Sequence, residues 1–182
     1  PSTFIASFSY TQKKQVIFPI RSIVYFNRNR SMLISDWRFL KYPSYTYGLG
    51  MHSSPKDENL LDFQYFKFHE SFLFRLAPGL YLGAGYVLDY FWNLKEVHPQ
   101  GSPKNDFEKY GYKGQSLSSG LSFHLLRDTR DNPINAYSGT FASIAVNPRL
   151  KFLGSDASWT TMVLEWRGYY RFPAGSSNTL AL

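Results

Sequence analysis

Apolar side chains recur at every second position along most of this sequence, the period of a pleated strand with one face in an apolar environment and the other in a polar one. Residues 80–94 show it most cleanly. Leu80, Leu82, Ala84, Tyr86, Leu88, Tyr90 and Trp92 share one face, and Tyr81, Gly83, Gly85, Asp89 and Asn93 share the other. Residues 60–76 set Phe66, Phe68, Phe72 and Phe74 against Lys67, His69, Ser71 and Arg75. There Glu70 falls on the phenylalanine face, and Asp62 and Gln64 break the phase, exceptions that a bulge would produce by re-aiming the side chains on either side of it. The same alternation predicts strands over residues 3–10, 15–27, 32–40, 116–126, 140–146 and 158–172, and residues 178–182 begin a ninth. Pro19 cannot donate to a ladder and belongs at an edge or a bulge, so 15–27 either bulges there or is no strand. The strand is retained because the pattern resumes in phase. In 32–40, Asp36 and Arg38 lie opposite Leu33, Trp37 and Phe39 and are expected to point inward.

Two stretches, 41–59 and 95–115, are polar and rich in proline and glycine, and read as exposed loops. The connections around Arg28, Pro78, Pro133 and Gly175 include the shortest turns. Short turns at one end and long loops at the other are the asymmetry of an outer-membrane barrel, which puts the short turns in the periplasm. The densest group of charges and turn formers is 127–139. It lies between Leu117, Ser119, Leu121, Phe123 and Leu125 on one side and Thr140, Ala142, Ile144 and Val146 on the other. Asn132-Pro133 and Ser138-Gly139 are strong turn signals, and the stretch is expected to form a tight, charged turn closing a hairpin.

Length and composition sharpen the class. The runs at 60–76 and 80–94 exceed the about five or six residues of an average soluble strand and meet the about 9 to 11 that a tilted strand needs to cross hydrocarbon. Aromatic residues make up 19% of the 182 residues, with 14 Tyr and 16 Phe. No apolar run is long enough for a membrane helix, which excludes a helical membrane protein. A polar average with so many rings suits a transmembrane barrel, with a soluble β-sandwich as the alternative. The expected class is therefore all-β: an antiparallel transmembrane β-barrel, partial, with about nine strands of a larger barrel. Because the sequence starts at Pro1 and stops at Leu182 within an alternating run, residues 1–182 are read as the N-terminal portion of a single outer-membrane domain. The net charge of +7 is dispersed, which argues against a nucleic-acid stripe and suits loop lysines beside anionic headgroups. The chain has no Cys, which removes disulfides, thiolate metal sites and a Cys nucleophile.

Candidate chemistry is sparse. Ser122 and His124 share a strand face and are the residue types of a nucleophile and its base, but such a pair also suits a hydrogen-bonded lumen, and no catalytic residue is assigned. His52, His69 and His98 lack metal-ligand spacing, so neither metal nor cofactor is expected, and Asp57, Glu58, Asp106 and Glu108 read as solvated loop charges. Asp128, Arg130 and Asp131 admit two readings. They cap and solvate a turn, worth about a kcal/mol each at most if exposed, or they form a charge-paired network that shapes the barrel rim. Arg21, Arg38, Lys67, Arg75, Arg167 and Arg171 line the lumen or await a loop outside the chain.

Asp128-Thr129-Arg130-Asp131-Asn132-Pro133 with Tyr137-Ser138-Gly139 resembles the D-x-R-D-N-P turn of the bacterial surface antigen barrel in the BamA/TamA family of outer-membrane assembly and translocation proteins. Tyr42-Pro43 followed by Tyr47-Gly48-Leu49-Gly50, and Gly79-Leu80-Tyr81-Leu82-Gly83, are similar to two further segments of those barrels, in the same order. The resemblance implies a barrel in the bacterial outer membrane that assists insertion or translocation of polypeptides or lipids. It implies outer-membrane lipids, client polypeptides and other outer-membrane complex subunits as partners, no nucleic acid and no enzymatic activity. A passive pore is the alternative, and an outer-membrane lipid-modifying enzyme comes third. The structural motif carried over is Asp128, Arg130, Asp131, Asn132, Pro133 and Gly139. Periplasmic POTRA modules are not recognisable. Arg167-Gly168-Tyr169 imitates the family's R-G-F/Y lumen-loop motif but sits in an alternating strand and is read as strand composition, with the loop itself expected beyond Leu182.

Overall fold

One antiparallel sheet of eleven strands accounts for nearly all the regular structure in a computed structural model, which describes residues 2–47, 51, 53–97, 114–173, 175–176 and 178–182. The strands are β1 (Thr3–Ala6), β2 (Ser9–Tyr10), β3 (Val16–Phe26), β4 (Ser31–Lys41), β5 (Ser44–Thr46), β6 (Asn59–Ala77), β7 (Leu80–Val97), β8 (Ser116–Asp128), β9 (Gly139–Arg149), β10 (Trp159–Arg171) and β11 (Thr179–Ala181). Their spatial order is β1-β3-β4-β6-β7-β8-β9-β10-β11, with β2 on β3 and β5 on β6. The nine strands of that path match the nine alternating segments of the sequence, in a meander that does not close on itself. It is a partial barrel wall.

Register keeps the two faces apart, since a slip of one residue would exchange them. Phe39, Phe66 and Tyr90 form one cross-strand row on the outward face, and Leu33, Phe72 and Ala84 another. Arg38, Lys67 and Asp89 form a row on the opposite face. Outward side chains such as Leu164, 65% exposed, have nothing packed over them among the described residues. So many exposed apolar side chains along one face are more than a soluble monomer ordinarily leaves uncovered, and a second sheet of the kind that would cover them in a sandwich is absent from the described residues. The outward face is therefore the lipid face. On the inner face, near the short turns, Met32 and Leu73 are almost fully buried against Tyr81, with Tyr25, Ile34 and Leu126 packed around them. Burying each aliphatic there contributes about 1.5–3 kcal/mol.

Several expectations are corrected. β3 runs through Pro19 without a bulge, in register with β4 at Pro19↔Arg38. The interruption lies in the neighbouring arm. Ser7 donates its N–H to Pro19 O at 3.2 Å, but Pro19 has no N–H to return, and the arm made of β1 and β2 breaks at Ser7 and Phe8 while keeping one register on both sides. The supposed loop 41–59 contains β5, paired with the start of β6, and a 3-10 turn at Pro55–Asp57. A bulge does separate Asp62 from Gln64. Glu70, by contrast, stays in register on the lipid face, where its carboxylate accepts from Ser35 Oγ at 2.8 Å and Trp37 Nε1 at 2.9 Å. Ser119 on the same face is covered by Tyr86, whose hydroxyl lies 2.8 Å from Ser119 Oγ. Hydrocarbon offers no hydrogen bonds, so these outward polar groups bond to one another. Of the expected loop 95–115, residues 98–113 lie outside the described residues, as do His52, His98, Asp106, Glu108 and the Gly48-Leu49-Gly50 part of the second motif.

Candidate functional site

Alternation puts charge on the inner face, and strand pairing decides which charges meet. Asp36 of β4 lies between Arg21 of β3 and His69 of β6. It accepts from Arg38 Nε at 2.8 Å and Nη2 at 2.7 Å and from Lys67 Nζ at 2.6 Å, with Arg21 Nε at 3.6 Å. Asp89 of β7 faces Lys67 in register. It accepts from Tyr65 Oη at 2.6 Å, lies 3.1 Å from His69 Nε2 and accepts from Arg149 Nη2 at 2.5 Å. Arg149 belongs to β9, two strands away from β7, and reaches Asp89 because Gly120 intervenes on β8. A Cβ on Gly120 would lie 1.9 Å from Pro148 O and 2.8 Å from Arg149 Cα. Trp159 covers the Arg149 guanidinium, 5.5 Å from its ring centre. The result is two adjacent clusters on the inner face, Asp36 with Arg21, Arg38 and Lys67, and Asp89 with Tyr65, His69 and Arg149, spread over β3, β4, β6, β7 and β9. The inner face there is cationic on balance.

A second cluster uses glycine in the same way. Gly85 on β7 separates Ser71 on β6 from Ser122 on β8, and a Cβ there would lie 2.4 Å and 2.7 Å from the two hydroxyl oxygens. Without it, Ser71 Oγ approaches Ser122 Oγ at 3.1 Å and His124 Nε2 at 2.9 Å. The partner of His124 is thus Ser71, which the sequence did not single out, rather than Ser122. Both hydroxyls are buried, and no carboxylate orients His124 among the described residues. Nucleophilic catalysis needs an activated, reachable hydroxyl and an oriented base; this cluster is a closed hydrogen-bonded interior.

The third cluster is the connection between β8 and β9, longer than the tight turn expected because ten residues separate the strands. Its side chains make up for its length. Arg130 forks onto Asp128, with Nε donating to Oδ1 at 2.8 Å and Nη2 to Oδ2 at 2.7 Å, and Nη1 donates to Pro133 O at 3.0 Å. The two side chains are only 9% and 14% exposed. Phe141 carries the guanidiniums of Arg130 and Arg167 at 4.8 and 5.0 Å from its ring centre. Hydrogen bonding to the Asp128 carboxylate holds the Arg130 pKa above its ordinary value, against the cost of burial. Asp131 Oδ1 accepts from the backbone N–H groups of Asn132 at 2.9 Å, Tyr137 at 3.0 Å and Ser138 at 3.3 Å. Loss of water opposes ionisation of Asp131, but these bonds outweigh it and hold its pKa below the ordinary carboxylate value. Asn132 Oδ1 accepts from Ile134 N at 2.9 Å, the local bond that makes Asn a turn former.

Gly139 takes φ +101°, and a Cβ there would sit 2.3 Å from Thr129 O. Gly79 takes φ +72° in the neighbouring turn, and a Cβ would meet Asp128 O at 2.5 Å. Asp128 N donates to Gly79 O at 2.7 Å, so the motif is fastened to the β6–β7 turn as well. Arg167-Gly168-Tyr169 lies within β10, with Arg167 paired to Glu165. The other inward arginines do not join one network: Arg171 lies over Tyr137, and Arg75 sits at the rim between the short turns.

A family model described as the Omp85 superfamily domain matches residues 6–182. No curated protein matches the chain.

Proposed function

Because the chain belongs to the Omp85 superfamily, a family of outer-membrane proteins associated with insertion and translocation, we propose that it forms part of a BamA/TamA-type barrel assisting polypeptides or lipids to insert into or cross the bacterial outer membrane. The family match over nearly the whole chain carries this reading. The wall is compatible with it: an apolar outward face for lipid, a polar inner face, and a rim clamped by Asp128, Arg130, Asp131 and Gly139. A strand entering hydrocarbon must satisfy its backbone N–H and C=O groups, and an antiparallel barrel wall is a surface that can do so. The partners are outer-membrane lipids, client polypeptides and other outer-membrane complex subunits. Nucleic acid, metal and cofactor have no part in the proposal, and Ser71, Ser122 and His124 act as interior packing rather than as an active site.

Full-length protein reconstituted in lipid vesicles and given an unfolded outer-membrane client should raise the client's folding rate above that in empty vesicles, read as heat-resistant mobility on a gel. Equal rates would overturn the proposal. The cationic inner face favours a second reading as a pore. Anion-selective conductance in planar bilayers, undiminished by client, together with equal client folding rates, would put the pore first.

A further inference from the structure

At the short-turn end the β3–β4 turn holds three consecutive non-glycine residues in the left-handed region, with φ +49° at Asn27, +55° at Arg28 and +63° at Asn29. Asparagine tolerates that region, whereas arginine enters it rarely. The turn is held from inside the wall, where Tyr81 Oη donates to Asn29 O at 3.1 Å, and closed by Arg30 N donating to Phe26 O at 3.1 Å. Arg75 N donates to Arg30 O at 2.8 Å, next to the pair Ser31↔Phe74, so Arg30, one residue before β4, stands directly opposite Arg75 of β6. Like charges in that relation repel. Arg28, Arg30 and Arg75 line one groove of about 900 Å³ with Phe74 and Leu76. Among the described residues no carboxylate pairs with any of the three, although elsewhere on the wall Arg38, Arg130, Arg149 and Arg167 each have one.

We propose that this groove binds an anionic glycerophospholipid of the leaflet next to the short turns, its phosphate taken by Arg28, Arg30 and Arg75 and its acyl chain by Phe74 and Leu76. Guanidinium forks match phosphate oxygens in a way an ammonium does not, and a shared anion turns the Arg30–Arg75 repulsion into attraction. The apolar half of the groove decides the source of the phosphate. Phe74 and Leu76 are 57% and 60% exposed; Phe74 shares the outward row with Leu82 while Arg75 pairs with the inward Tyr81, so the groove crosses the rim from one face to the other, at the end of the wall where headgroup meets hydrocarbon. An acidic polypeptide from the aqueous side would meet the arginines and leave these two side chains unused, and free phosphate would use neither.

The test uses full-length, delipidated protein in detergent and three probes: short-chain phosphatidylglycerol, inorganic phosphate and polyglutamate. Native mass spectrometry reads lipid occupancy, and titration calorimetry reads the two aqueous probes. Phosphatidylglycerol should bind, with affinity lowered roughly fivefold per arginine removed in Arg28→Gln, Arg30→Gln and Arg75→Gln. Phe74→Ser with Leu76→Ser should weaken the lipid as well. Heat-resistant gel mobility reports folding of each variant. If the triple arginine variant does not fold, Arg28→Gln alone decides, because its side chain is at the turn tip and outside the strand ladder. Unchanged lipid affinity in the arginine variants overturns the proposal. So does displacement of the lipid by equimolar inorganic phosphate, which would make this a free-phosphate site. Arginine-dependent binding of polyglutamate without binding of the lipid overturns it in favour of an acidic protein partner.

Discussion

Arg130→Ala separates the two readings of the charged turn. In the first, the turn is a solvated cap and the pair with Asp128 is worth less than about 1 kcal/mol. The structure supports the second. The fork is two-pronged, Nη1 holds Pro133 O, and both partners are largely shielded, at 9% and 14% exposure. Removing one partner of a buried pair costs about 3–5 kcal/mol, mostly because the other charge is left without compensation. The rim is not fully dry, so the lower end applies. The lost contact with Phe141 is worth about 0.5–1 kcal/mol in the same direction. A loss of about 3 kcal/mol lowers the folding equilibrium constant roughly 150-fold. The assay is urea unfolding of the full-length protein in lipid vesicles, followed by tryptophan fluorescence, on Arg130→Ala, Asp128→Ala and the double variant. Each single variant should lose most of what the double loses, with a coupling of about 2 kcal/mol or more. A loss below about 0.5 kcal/mol, or single losses that simply add, would refute the clamp.

Gly139→Val should cost more than Arg130→Ala, because it combines φ +101° with a Cβ 2.3 Å from Thr129 O; folding yield near wild type would contradict this. Asp131 has a folded-state pKa below the unfolded one. Its contribution is therefore present above the ordinary carboxylate pKa of about 4 and lost as pH falls through the folded value. Asp131→Asn should flatten the decline in stability below about pH 4, measured as the urea midpoint against pH, and an unchanged slope would count against it. Ser122→Ala and His124→Ala should leave the client-folding rate intact, since neither side chain belongs to an oriented catalytic set. Loss of that activity in either variant while folding stays normal would mark an active site.

Much of the wall was legible in the sequence because period two is a strong signal over long strands. Residues 80–92 gave both faces in register, while Asn93 falls where the register shifts, and the charged character of 127–139 marked the stretch where Arg130 forks onto Asp128. What could not be read depends on which strands become neighbours and on groups that are missing. Pro19 looked like a defect in its own strand, yet its missing N–H is felt across the sheet at Ser7 and Phe8. The meeting of Asp89 with Arg149 depends on Gly120, and that of Ser71 with Ser122 and His124 on Gly85. A glycine on the polar face of a strand was the available signal, and it could be interpreted only once the register was known. Glu70 broke the alternation because its neighbours Ser35 and Trp37 solvate it, so no bulge was required.

The central claim is that the even-numbered face of β7 lies in hydrocarbon and the odd-numbered face in the barrel interior. The chain has no Cys, so single cysteines placed in turn from Leu82 to Trp92 can each carry an environment-sensitive fluorophore in full-length protein folded into vesicles. The account predicts blue-shifted emission quenched by brominated lipid at Leu82, Ala84, Tyr86, Leu88 and Tyr90, red-shifted emission quenched by aqueous iodide at Asp89, and no lipid quenching at Val87, which is buried on the inner face. Emission without alternation, or lipid quenching at the odd positions, would contradict it.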